Sequence, residues 1–299
     1  MTVLSRRRAI SAALLTLPWV SACGVLRPAR VPQAAGSAEL ASRFALLERD
    51  SRVRLGVAAL DTGNGARIAY RANERFPMCS TFKMLAGAAV LARSVGDNGL
   101  MARRMPILEA GLSAGYTPIT APRVGTEMTL EELCVAAVSY SDNLAGNLLL
   151  EVLGGPAGLT AYVRSLGDSV TRLDRIEPEL DTAIPGDPRD TTTPAAMLGV
   201  MQQILLTDAL PAAARLQLQT WLIGNTTGAL RIRAGVPATW RVGDKTGSGR
   251  NGAVGDVAIM WPPGRAPILL TVYAGPTMGR DTPGTLIASA AKLVANAYA

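Results

Sequence analysis

A serine and a lysine three residues apart, Ser80 and Lys83 in Met78-Cys79-Ser80-Thr81-Phe82-Lys83, open an alanine-rich stretch with helical spacing. Positions i and i+3 share one helix face, so the Lys83 amine can reach the Ser80 hydroxyl. A serine so placed is a candidate nucleophile. The lysine can take its proton only where burial or a second cation lowers the amine's pKa. The pair alone is not specific, because Ser289 and Lys292 repeat the spacing in an amphipathic stretch near the C-terminus, in a chain with three lysines. Two further groups follow in order, Ser141-Asp142-Asn143 and Lys245-Thr246-Gly247. Between them, Arg175-Ile176-Glu177-Pro178 opens a polar, proline-rich stretch of 16 residues, 175–190. It has the size of an Ω-loop, and its composition equally fits a charged surface loop. Histidine is absent. That rules out a Ser-His-Asp triad and argues against a catalytic zinc site, so no metal and no cofactor are expected.

The elements that must position these residues change character along the chain. Ala38 to Asp50 has helical spacing, and Arg54 to Leu60, Asp61 to Gly65 and Arg67 to Tyr70 read as a β-hairpin. From Ser80 to about Ile223 the periodicity is helical, with runs at 80–95, 130–140, 143–153, 159–166, 195–206 and 212–222. Thr129 and Glu132 have capping-box spacing, and Pro194 and Pro211 are placed as first helical residues. Strand patterns return at 240–245, 254–261 and 268–274, and 285–298 is helical. This order predicts an α+β fold: a five-stranded antiparallel sheet flanked by helices, plus a large all-helical domain, with the active site between them. The sheet domain is expected from 38–71 and 223–299, and the helical domain, including the 175–190 loop, from 72–222.

With 299 residues, 48% of them hydrophobic, the chain can bury one large core or two smaller ones. Its pI near 9.8 raises nucleic-acid binding as a reading. Arg6, Arg7 and Arg8 supply three of the seven net positive charges, however, and residues 1–22 read as a signal peptide: a basic start, an apolar Ala9 to Val20, then small residues. Without them the net charge is +4, aromatics are scarce and no basic run stands out, so no nucleic acid is expected. Ser5-Arg6-Arg7 is similar to a twin-arginine signal, although Ala9 stands where a bulky residue is usual, leaving the export route open. Val20-Ser21-Ala22-Cys23 resembles a lipobox. In that reading Cys23 is lipidated and residues 23–37 form a tether, the alternative being simple release after Ala22. The expectation is an exported, periplasmic, membrane-tethered monomer with no other membrane contact. Cys79 and Cys134 are expected to be reduced and buried.

Taken in order, Ser80-Thr81-Phe82-Lys83, Ser141-Asp142-Asn143 and Lys245-Thr246-Gly247 resemble the motif set of class A serine β-lactamases and penicillin-binding proteins. The 175–190 stretch points to the hydrolases within that superfamily. The resemblance covers about residues 38–299. It implies hydrolysis of β-lactam antibiotics, penicillins and cephalosporins, through an acyl-enzyme on Ser80. By resemblance, Arg175 and Asp190 pair across the loop neck, Glu177 faces Ser80 through a cis Glu177-Pro178 bond and activates the deacylating water, and Ser141 passes a proton to the leaving nitrogen. Lys83, or Glu177 through water, takes the Ser80 proton. Lys245 is a second cation near Ser141 and lowers the basicity of Lys83. Asn143 donates to the substrate side chain. Arg231, Thr246 and Ser248 meet its carboxylate, Lys245, Gly247 and Asp181 complete the substrate-binding set, Tyr116 gates the pocket, and the Ser80 and Ser248 N–H groups form the oxyanion hole.

The chain departs from the family in three places. Asp181 stands where asparagine is usual beside the hydrolytic water. A second carboxylate there should raise the upper apparent pKa of the Glu177–Asp181 pair and weaken deacylation on the acid side. Gly87 stands where many members carry the cysteine partner of Cys134. Gly249 stands where some carbapenem-hydrolysing members carry the partner of Cys79, which argues against that activity. A penicillin-binding D,D-peptidase would share the three motifs but lack the Glu177 loop, and a non-catalytic sensor would add a membrane span and a signalling domain.

Overall fold

Strand β1 (Leu55–Asp61), an interior strand of the sheet, is buried along its whole length, because its sequence, Leu-Gly-Val-Ala-Ala-Leu-Asp, is apolar on both faces up to its last residue. Leu55, Val57 and Ala59 enter one core and Ala58 and Leu60 the other, as the two-residue strand period requires. The computed structural model describes residues 37–277 and 280–299. The expectations for residues 1–22, for Cys23 and for the tether lie outside the described residues. The described residues belong to one compact unit.

Strands β2 (Arg67–Tyr70), β3 (Phe76–Pro77), β4 (Arg104–Pro106), β5 (Glu127–Thr129), β6 (Thr191–Thr192), β7 (Arg241–Ser248), β8 (Val254–Trp261) and β9 (Ile268–Ala274) complete the set. The helices are α1 (Ser37–Ser51), α2 (Phe82–Ser94), α3 (Leu130–Ser139), α4 (Asn143–Leu153), α5 (Gly155–Ser165), α6 (Pro194–Leu206), α7 (Ala212–Ile223), α8 (Ile232–Gly235) and α9 (Gly284–Ala297), with several 3₁₀ turns between them. Five strands form one antiparallel sheet in the order β2-β1-β9-β8-β7, the predicted sheet built from both ends of the chain. One face packs on α1 and α9 through Phe44, Ile287 and Val294. The other packs on the α2, α3, α4, α6 and α7 layer through Val257, Ile259 and Tyr273. β7 is an edge strand, and its free edge borders the helical layer.

Two local features differ from the sequence reading. Pro211 is the N-cap of α7, with extended ψ of 152°, not its first helical residue, whereas Thr193 caps α6 through Ala196 N–H with Pro194 inside. The short pairs β3–β6 and β4–β5 were not anticipated, since two or three residues carry no readable periodicity. The Thr129–Glu132 capping box forms as expected.

Candidate active site

Ser80 sits in a 3₁₀ turn, Cys79–Thr81, that feeds directly into α2. Lys83, in the first turn of α2, is fully buried and its Nζ lies 2.8 Å from Ser80 Oγ. It is also 2.9 Å from the Ser141 carbonyl, 2.5 Å from Asn143 Oδ1 and 3.0 Å from Glu177 Oε1. Ser80 Oγ lies 3.4 Å from Glu177 Oε1. Ser141 has a left-handed φ of 61°, and its hydroxyl accepts a 2.9 Å bond from the buried Lys245 Nζ. Asp142 caps α4 through Ala145 N–H and also receives Ile119 N–H, Thr120 N–H and the Thr120 hydroxyl. This fully buried carboxylate therefore braces both the Ser141 turn and the loop that carries Tyr116. By contrast, Ser289 and Lys292 lie exposed on α9, so the same spacing there makes no site.

The 175–190 loop is closed by Arg175 Nε at 2.6 Å from Asp190 Oδ2, the predicted neck pair. Asp190 Oδ1 also accepts the Asp174 and Arg175 N–H groups, and the Asp190 carbonyl accepts Met78 N–H. The loop exit is thus tied to the segment leading to Ser80. The Glu177-Pro178 bond is cis. Asn147 on α4, which the sequence reading missed, clamps the Glu177 backbone from both sides: its Oδ1 accepts Glu177 N–H and its Nδ2 donates to the Glu177 carbonyl, each at 2.9 Å. Its position one turn after Asn143, on the same helix face, was the available signal.

On the opposite wall, Gly249 N–H donates to the Ala253 carbonyl. The alternation of antiparallel pairing then turns Ser248 N–H toward the free edge of β7. Gly247 is needed at that strand end, because a Cβ there would come within 2.7 Å of the Met78 carbonyl oxygen. Arg231 donates to the carbonyls of Gly247 and Gly255 and to Ser248 Oγ, so it is part of the wall and not a solvated surface arginine. Thr227 joins Thr246 in a hydroxyl pair and donates to Asn225 Oδ1; its sequence neighbours had drawn attention only for Arg231. A cavity of about 290 Å³ between these walls is lined by Ser80, Ser141, Asn143, Thr246 and Ser248, with Arg231, Thr227, Asp181 and Tyr116 around them. Tyr116 is 58% exposed, at the rim. The amide of Asn143, expected to point at a substrate, donates to the Ala114 carbonyl at 2.8 Å, because its oxygen is drawn to Lys83.

Residues 39–298 match the family model described as the beta-lactamase enzyme family. The chain belongs to that family. This β-lactamase is 49% identical to Beta-lactamase AST-1 of Nocardia asteroides over 98% of its own length and 96% of that protein's. It is 52% identical to the Carbapenem-hydrolyzing beta-lactamase KPC of Klebsiella oxytoca, over 85% and 87%. A solved structure of a variant of the class A β-lactamase of the last common ancestor of Gram-negative bacteria superposes with a TM-score of 0.83 at 55% identity, covering 87% of this chain and 98% of that one. It is a class A serine β-lactamase.

Charges in this β-lactamase are arranged by burial. Lys245 is pushed down to about 7, first by burial and then by the Lys83 charge. Asp181 is pushed up to about 9, first by burial and then by Glu177, so the carboxylate effect expected from the sequence falls on Asp181. Asp244 on β7 and Asp256 on β8, both fully buried, are raised by burial. Arg233 donates to Asp244 at 2.5 Å, and Asp256 accepts Ile232 N–H next to Arg231. Cys79 and Cys134 are free and buried. Burial, followed by the Asp181 charge, raises the Cys79 thiol.

Proposed function

We propose that this enzyme hydrolyses the amide of penicillins and cephalosporins through an acyl-enzyme on Ser80. The contact of a serine hydroxyl, a buried amine and a buried carboxylate within about 3 Å carries the reading: Lys83 Nζ touches both Ser80 Oγ and Glu177 Oε1. Two of its neighbours, the Ser141 carbonyl and Asn143 Oδ1, can only accept. Glu177 Oε1, 3.0 Å away, is a third acceptor. Lys83 therefore acts as base once one of its protons has passed to that carboxylate, which leaves two N–H groups on the other acceptors and a lone pair facing the Ser80 hydroxyl. Proton transfer from Ser80 runs to Lys83 directly or to Glu177 through water, and the 2.8 Å against 3.4 Å separations favour the direct route. Ser80 Oγ then attacks the lactam carbonyl while the N–H groups of Ser80 and Ser248 hold the oxyanion. The C–N bond breaks as the Ser141 hydroxyl protonates nitrogen and is resupplied from Lys245 or Lys83. In deacylation, Glu177 removes a proton from water, the hydroxide adds to the ester carbonyl, and Ser80 leaves with the proton restored. Arg231, Thr246 and Ser248 present the donors that a substrate carboxylate needs.

A D,D-peptidase would leave the acyl-serine without a nearby carboxylate, and Glu177 argues against that alternative. Steady turnover of a chromogenic cephalosporin by wild type, with Glu177→Ala slowed about 10²–10⁴-fold and trapped as a covalent adduct, is the expected result. Stable acylation of the wild type without turnover would overturn it. We further propose export by the leader, a lipid on Cys23 and a periplasmic, tethered monomer. Residues 1–23 support this through the signal and lipobox patterns, and a mass spectrum of the mature N-terminus tests cleavage and lipid together.

A further inference from the structure

Two carboxyl groups, Glu177 buried and Asp181 half-buried at the cavity wall, face a local cation beside Ser80. Glu177 is paired with Lys83, and the Asp181 carboxyl stands against Glu177 and the Cys79 thiol, in the same 3₁₀ segment that follows Pro178. Asp181 Oδ1 and Glu177 Oε2 are each buried without a hydrogen-bond partner. The loop cannot slide apart to separate them. Asp181 N–H bonds the Pro178 carbonyl and the Asp181 carbonyl accepts Arg250 N–H at 2.7 Å. A Cβ on Gly249 would already lie 2.8 Å from that oxygen, so β7 is packed hard against the loop. The titratable and charged groups facing Asp181 are Glu177 on the loop, Cys79 before the nucleophile, Lys83 on α2 and, more remotely, Arg231 across the cavity. Among the described residues, the cation close at hand is Lys83, and Glu177 engages it.

We propose that Glu177 and Asp181 hold one proton between them, carried on Asp181, and that this neutral carboxyl is a positioning residue keeping Glu177 ionised and aimed at Ser80. Two like charges at this spacing in a poorly solvated pocket are disfavoured, whereas an acid beside a carboxylate can donate to it. Asp181 keeps its proton throughout turnover. Of the two carboxyl groups, it is Glu177 that exchanges protons with water and Ser80. The limit this sets is therefore alkaline, in contrast to the acid-side loss anticipated from the sequence, because the pair gives up its last proton only near pH 9.

The consequence for rate rests on the hydrolytic reading above, while the proton itself does not, and two measurements keep them apart. In the first, thermal stability of wild type and Asp181→Asn is compared across pH. A carboxyl raised from 3.8 to about 9 stabilises fully below its unfolded value, and that contribution is lost as pH rises toward the folded one. Asn carries no such dependence, so the variant should gain on wild type from about pH 4 and the gap should level off near pH 9. In the second, acyl-enzyme breakdown is followed by mass spectrometry. Wild type should fall about tenfold per pH unit above that point, and the fall should vanish in Asp181→Asn whatever its plateau rate. Lys245 titrates in both proteins and cancels from the comparison. A stability gap independent of pH would overturn the shared proton. A widening gap with superimposable breakdown profiles would overturn the positioning role.

Discussion

Removing Asp190 should unfasten the loop that carries Glu177. Its carboxylate is 1% exposed and its partner Arg175 is 17% exposed, so the pair is little screened by solvent. Asp190→Ala takes three charge-assisted bonds away, those from Arg175 Nε, Arg175 N–H and Asp174 N–H. Charged hydrogen bonds contribute about 1.5–3 kcal/mol each, but they share one carboxylate and do not add. Breaking a buried pair on one side costs about 3–5 kcal/mol, which is the better guide here. Alanine at the left-handed φ of 56° adds about 1 kcal/mol more. For a domain of this size, that total lowers Tm by about 10 °C or somewhat more. Asp190→Asn keeps the shape and tolerates the backbone, and should lose about half as much. Denaturant unfolding gives the free energies, and mass spectrometry of the acyl adduct reports whether Glu177 still reaches it. Since Asn147 clamps Glu177 independently, breakdown should slow without stopping. A loss below about 1 kcal/mol for Asp190→Ala, the range of an exposed ion pair, would refute the assignment of the neck as a buried lock.

Lys245 makes a prediction of opposite sign from that of Asp181. Its amine is lowered from 10.5 to about 7, so its cation is lost as pH rises through neutrality. KM for a carboxylate-bearing substrate should rise above about pH 7, and Lys245→Arg should flatten that rise by keeping the charge; an unchanged KM profile in the arginine variant would count against a carboxylate contact. The same shift contributes stability that is complete above about pH 10.5 and is lost as pH falls toward 7. Gly247→Ala places a methyl group 2.7 Å from the Met78 carbonyl oxygen, backbone that leads into Ser80. Overpacking there should cost about 1–3 kcal/mol and slow acylation more than breakdown of the adduct, measured by burst kinetics; full acylation rates with normal stability would show that the turn yields freely.

The helices and strands were legible because their apolar spacing is long and regular. Boundaries shifted at element ends: α5 begins at Gly155 and not at 159, β7 runs on to Ser248 past 245, and Pro211 caps α7 in place of opening it. The short pairs β3–β6 and β4–β5 were not legible, yet β6 places Thr191 opposite Pro77 and thereby anchors the loop exit beside the nucleophile. Asn147 and Thr227 escaped notice for a related reason: neither belongs to a recognisable motif, and each matters through a partner, Glu177 or Thr246, brought to it by folding. Arg231 was legible as a cation but not as a wall residue, because its fixing bonds go to backbone carbonyls of β7 and β8 that the sequence does not display.

Chain order alone determined the set of groups: a serine and lysine on one helix face, then a serine turn, a loop glutamate and a strand lysine, with no histidine to serve as base. Those are covalent facts and local periodicities, which survive without knowledge of the fold. Motif order already favoured the Ser80–Lys83 pair over Ser289–Lys292, and tertiary structure supplies the physical reason. Ser80 and Lys83 are enclosed by Glu177, and by the Lys245–Ser141 contact across 104 residues, whereas Ser289 and Lys292 face solvent. It also decided which group bears the cost of crowding charge. Burial depends on how layers pack, so the same residues that spelled a motif acquired their protonation states, a depressed Lys245 and an acid at Asp181, only once the sheet edge and the Ω-loop had closed over them.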